Sequence, residues 1–132
     1  MEILNAKITS VSITMADHGC LTFWLTIKGG GWGVSIGGYP IGHGYLGANK
    51  FEGHPYAIEA MMRIMDTVGV DKWEDLKDHY IRVMSSGWGS TITKIGNITD
   101  DKWFDIREFF RTHTISVKEE TKDDQENNKE SS

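Results

Sequence analysis

The sequence predicts an α+β fold: an antiparallel sheet with one main helix and one or two short ones. Three observations carry that prediction. Runs rich in β-branched residues are closed by glycine-containing turns. One stretch, residues 55–69, repeats its apolar residues at helical spacing. Strands joined by short turns with few helical crossovers belong to layered α+β architectures. The chain has 132 residues, enough for one core and too few for two.

Residues 3–15 place Ile8, Val11 and Ile13 among Thr9, Ser10, Ser12 and Thr14, which reads as a strand. Asp17, His18 and Gly19 form a turn, and residues 20–28 make the second arm of a hairpin. A third strand follows over 33–39. Residues 29–53 hold ten of the fifteen glycines. Glycine is costly to order, so such a segment suits a place where backbone approaches another chain or a ligand closely. Pro55 opens the main helix, where its missing N–H is no loss. Ile58, Met61, Met62, Met65 and Val68 form its apolar stripe, and Gly69 ends it. Asp71 with Glu74 reads as the capped start of a short turn or helix. Strands are expected over 80–84 and 91–95, joined through 85–90, and a last short helix over 100–111. Beyond His113 aromatic residues vanish, so residues 1–113 are expected to form a single ligand-binding domain and 114–132 a disordered acidic tail.

The formal charge is −5, and residues 118–132 carry three Lys against six Asp or Glu. The rest is then only about −2, which argues against a DNA or RNA polymer as partner, since such binders present a strongly basic face. Cys20 is the only cysteine, so an intrachain disulfide and a cysteine zinc framework are ruled out, and a reducing compartment is favoured. No basic leader precedes a long apolar run, and no stretch approaches the roughly 20 apolar residues of a membrane span. The expectation is a cytoplasmic protein without a membrane partner.

The glycine segment carries neither G-x-x-x-x-G-K-[ST] nor G-x-G-x-x-G. The five histidines (18, 43, 54, 79 and 113) show no metal-ligand spacing, so they read as isolated loop and surface residues, and no metal or cofactor is expected. Cys20 reads as a buried, inert thiol. Ser35, Ser85, Ser86 and Ser90 lack a G-x-S-x-G setting, and no catalytic residue is expected. Trp32 and Trp88, each between glycines, read as core or interface anchors, with ring stacking as the alternative.

Arginine is more informative. Residues 1–113 contain four, at 63, 82, 107 and 111. Arg107 and Arg111 stand four apart, so a helix presents two guanidinium forks on one face. That pair suits a phosphate or pyrophosphate; the alternative is pairing with Glu108, Asp105 or another chain. Tyr80 and Arg82 alternate on one strand, and a ring beside a guanidinium can sandwich a base. The alternative is an ordinary cross-strand stack.

The order of these segments resembles the Thoeris anti-defence protein 1 family of phages. The residues that carry the resemblance are Asp17-His18-Gly19-Cys20-Leu21-Thr22, residues 31–39, residues 68–76, Tyr80-Ile81-Arg82-Val83, Ile95-Gly96-Asn97 and Asp101-Lys102-Trp103-Phe104. It spans roughly residues 3–111, and order and spacing carry it rather than any one motif. The resemblance implies a sponge that binds cyclic ADP-ribose signals of bacterial immunity without cleaving them, with cyclic oligonucleotides as further ligands of some members. It implies homo-oligomers with pockets between subunits in the cytoplasm of an infected host. By the same resemblance Tyr80 stacks on adenine, Asn97 supplies a polar contact, and Arg107 and Arg111 bind phosphate. The segment from Pro40 to Pro55 departs from the family in having no arginine. The rival reading is a protein-interaction inhibitor of a defence effector such as a CRISPR nuclease, with the acidic tail mimicking nucleic acid.

Overall fold

The computed structural model describes residues 2–15, 19–45, 50–85, 92 and 94–112. The expected turn at Asp17-His18, the Trp88 loop, and the acidic tail lie outside the described residues. The fold is α+β, with a seven-stranded antiparallel sheet. Its strands are β1 (Glu2–Met15), β2 (Cys20–Gly29), β3 (Trp32–Tyr45), β4 (Lys50–Gly53), β5 (Tyr80–Ser85), β6 (Lys94–Asn97) and β7 (Trp103–Asp105), in spatial order β4-β3-β2-β1-β5-β6-β7. The main helix, α1, runs Pro55–Val68, and a short helix, α2, covers residues 106–112. No helix among the described residues is long and apolar enough to cross a membrane.

The side-chain period of two decides which face each strand buries. Ile8 of β1, Phe23, Leu25 and Ile27 of β2, Ile36 of β3, Ile81 and Val83 of β5 and Ile95 of β6 point to one core face. There α1 packs against β3, β6 and β7. Phe110 of α2, which follows β7 in the chain, stacks flat on Tyr39 of β3 (centroids 3.8 Å apart, planes 4° apart). Phe110 also meets Phe23 and Tyr56. A tail-end helix thus closes the core over the glycine-rich strand.

Several expectations change here. The buried stripe of α1 is Ala57, Ala60, Ile64, Thr67 and Val68, while Ile58 and Met62 face solvent. Two alanines let the helix axis lie close to the sheet, which the larger residues would prevent. Gly69 ends the helix as expected, in the left-handed conformation with its N–H donating to Met65 O. Asp71 is not a cap: the 3₁₀ turn Trp73–Leu76 starts after Lys72, without a side-chain cap. β4 and β7 were not expected as strands, and the strand read over 91–95 is described at Lys94–Asn97. The last helix starts six residues later than its sequence reading, because Asp105 Oδ1 accepts the Glu108 N–H at 2.9 Å and fixes the N-terminus there.

Two glycines show why β3 is so rich in them. Gly37 has φ +135°, and a Cβ there would sit 2.2 Å from Phe23 O. Gly38 has φ +80° and would meet the Trp24 ring. The β2–β3 register shifts beside them, between Thr22 and Trp24. This strand can bend and still lie against its neighbour only without side chains at these positions.

Candidate functional site

The five site residues expected from sequence fall into two groups, Tyr80, Arg82 and Asn97 on neighbouring strands of the sheet and Arg107 and Arg111 on α2. Tyr80 and Arg82 share the outer face of β5, opposite the buried Ile81 and Val83. The Arg82 guanidinium is committed: Nε donates to Asn97 O and Nη2 to Asp100 O, both at 2.7 Å. Its plane lies 4.9 Å from the Trp103 ring centroid. Trp103 in turn lies against Gly96, where a Cβ would be 2.5 Å from the ring. Tyr80 is 61% exposed, with Lys7 Nζ 5.6 Å from its ring centre. Its ring is open to a stacking partner on the solvent side.

Asn97 points the other way, because it pairs with Ile81 rather than Arg82. Its Nδ2 donates to Thr67 O (3.1 Å) and Val68 O (3.2 Å), satisfying carbonyls at the end of α1. Its Oδ1 accepts the N–H groups of Thr99 (3.0 Å) and Asp100 (2.9 Å) and the Thr99 hydroxyl (3.3 Å). Both ends of this amide are occupied by the protein itself.

The arginine pair is on α2. Arg111 forks onto Glu108, with Nε 3.0 Å from Oε2 and Nη2 on Oε1. The bond from Arg111 holds the Glu108 carboxyl below the usual carboxylate range, and the same bond pushes Arg111 further up. One of the alternatives weighed for this arginine, an ion pair with Glu108, is therefore present. Arg107 makes no hydrogen bond or ion pair among the described residues. It lines a cavity of about 160 Å³ together with Ser35, Ile36, Gly37, Tyr39, Ile92 and Ile106. Burial pushes the Tyr39 phenol up, Arg107 pulls it back, and Asp105 adds a smaller upward push; the net shift is upward. Arg107 is thus close enough for its charge to be felt at the phenol oxygen.

This cavity joins what the sequence reading kept apart, the glycine-rich strand and the α2 arginine. Ser35, Gly37 and Tyr39 were not among the expected site residues. Their signal was available: Gly37-Gly38-Tyr39 places an aromatic beside two positions where backbone is bare. No described contact joins Arg107 or Arg111 to Tyr80, Arg82 or Asn97. Among the described residues that line it there is no carboxylate, imidazole or thiol. A cation, a phenol and bare backbone can hold an anionic group. Compared with known proteins, the chain matches no family model, no curated protein and no solved structure.

Proposed function

We propose that the chain binds and sequesters a cyclic ADP-ribose-type signalling nucleotide without cleaving it, as a phage anti-defence protein acting in the infected host's cytoplasm. The observation that carries this reading is the α2–β3 cavity, with an arginine unengaged by described residues on one wall and glycine backbone on the other. Arg107 supplies the charge for a phosphate, and the Tyr39 ring supplies an apolar floor. Arg111 on the same helix can exchange its exposed Glu108 for a second phosphate. The lining hydroxyls, Ser35 and Tyr39, have no carboxylate or imidazole base beside them among the described lining residues, which favours holding over hydrolysis.

Size adds a constraint. Ordinary small-molecule sites are roughly 300–1,000 Å³, so about 160 Å³ takes one phosphate or one ring, not a whole dinucleotide. We assign the remainder to a second copy, whose exposed Tyr80 stacks on the base while Arg107 of the first holds the phosphate. Arg82 and Asn97 then act by holding β5, β6 and the end of α1 in shape, not by touching ligand.

The test is calorimetry with 1''-linked cyclic ADP-ribose isomers, followed by mass spectrometry of the released ligand. Stoichiometric binding and intact recovery are expected; a cleaved product would sink the sponge mechanism. Arg107→Ala and Tyr80→Ala should each abolish binding, and mixing the two variants should restore a fraction of the sites. No restoration in a mixed oligomer would overturn the shared pocket.

A further inference from the structure

His43 and His54 stand eleven positions apart in the chain and meet in the fold. His43 is on β3, paired across the sheet with Cys20 of β2 on one side and Glu52 of β4 on the other. His54 immediately precedes α1 in extended backbone (φ −116°, ψ 101°), and its N–H donates to Ile41 O at 2.8 Å. Its side chain does not cap the helix. It turns instead to His43, with Nδ1 of His43 2.7 Å from Nε2 of His54 and the rings nearly perpendicular (85°). Both residues are half-buried. Beside them opens a cavity of about 330 Å³ lined by His43, Lys50, Phe51 and Glu52.

Two neutral imidazoles this close have two ways to coexist. One ring donates its N–H to the other, or each carries its proton on the far nitrogen and both lone pairs face the gap. The second arrangement is a pair of metal ligands. With metal–nitrogen bonds of about 2.0–2.1 Å, two nitrogens on one ion are roughly 2.9 Å apart at a right angle and roughly 3.3 Å apart at the tetrahedral angle. Opening the 2.7 Å pair by roughly 0.2–0.6 Å is a side-chain adjustment. No three metal-ligating side chains converge among the described residues. Two imidazoles are therefore the anchor. Glu52, opposite His43 and on the same cavity wall, is placed to add a carboxylate by rotation, and water in the cavity fills the other positions. Lys50 and the positive end of α1 oppose a cation, each by only a few-fold at an exposed site.

We propose that His43 and His54 form a two-histidine site for a late first-row divalent cation: Zn²⁺, Ni²⁺ or Cu²⁺. Imidazole selects these over Mg²⁺ or Ca²⁺, which prefer oxygen. The bound ion adds a side-chain clip between β3 and the residue that joins β4 to α1, beside the backbone hydrogen bond from His54 N–H to Ile41 O.

The test is calorimetry of the full chain with zinc chloride, and again with magnesium chloride. The wild-type chain and a His79→Ala control should bind one zinc ion in the micromolar range, with no magnesium counterpart. His43→Ala and His54→Ala should each weaken zinc binding at least tenfold. Unchanged affinity in both variants, or no zinc binding to the wild-type chain, overturns the site. If the alanine variants do not fold, Cu²⁺ titrated into the wild-type chain decides by NMR. Broadening of the His43 and His54 imidazole signals first supports the site; broadening that starts at other histidines overturns it.

Discussion

Arg82 and Arg107 are the same residue type put to opposite uses. Arg82, on the outer face, donates to two backbone carbonyls and lies over Trp103. Arg107, on the α2 side, reaches into a cavity and is bound to nothing among the described residues. An arginine that saturates backbone carbonyls holds loops together, whereas an unsatisfied one beside bare backbone is available to an anion. Residue type and spacing were equal guides to both; only the partners separate them.

Substitutions separate residues that hold the fold from those free to meet a ligand. The largest effect is expected at Gly37→Ala, because the new Cβ would sit 2.2 Å from Phe23 O at a φ that side chains rarely adopt. A loss of about 2–4 kcal/mol in urea unfolding is expected, and a neutral result would mean that β3 can shift away from β2. Next is Asn97→Ala, which frees two carbonyls at the end of α1 and the turn at Thr99 and Asp100. It should cost about 2–3 kcal/mol and weaken nucleotide binding no more than the stability loss explains; a larger loss of binding would make Asn97 a ligand contact.

The direct contrast is Arg82→Ala against Arg107→Ala. The first should lose about 1–2 kcal/mol, and Lys at this position should rescue little, since it has no fork. The second should change stability by less than about 0.5 kcal/mol while removing nucleotide binding. Equal stability losses would mean that Arg107, like Arg82, is held by the fold. The smallest effect is at Glu108→Gln. Because the Glu108 carboxyl is held below its ordinary range by Arg111, its contribution is present above the unfolded-state value of about 4.3 and fades as pH falls through the lower folded value. Melting temperatures of the wild type and the variant should therefore differ slightly near neutral pH and converge in acid.

Much of the sheet was legible because strands β1, β2 and β5 carry apolar residues at period two, as in Phe23, Leu25 and Ile27 of β2 and Ile81 and Val83 of β5. β4 was not, because Lys-Phe-Glu-Gly has no apolar alternation and is fully exposed along an edge. β7 was hidden by Asp100 and Asp101, which look like a helix start, while the cap that acts is Asp105. Asp105 and Glu108 stand at the spacing of a cap and its partner, so that signal was present and outranked. In α1 the helix itself was clear, but its buried side was not: methionines and Ile58 outweigh alanines on any hydrophobicity scale, and only close approach to the sheet favours Ala57 and Ala60. Spacing singled out Arg107 as a candidate and could not single out Tyr39, which lines the same cavity only once α2 folds back over β3. The two histidines stand eleven positions apart, and no local pattern relates them.

The pairing of β1 with β5 has a consequence for synthesis. Glu2 lies opposite Ser85, and Lys7 opposite Tyr80. A ribosome adding about 5–20 residues per second delivers β1, β2 and β3 first, and these can pair as a meander while α1 is still being made. During that interval the far edge of β1 has no neighbour, and an open strand edge is where nascent chains stick to one another. Slow translation through the segment up to Ser85 should lower the yield of folded protein more than an equal delay placed after it.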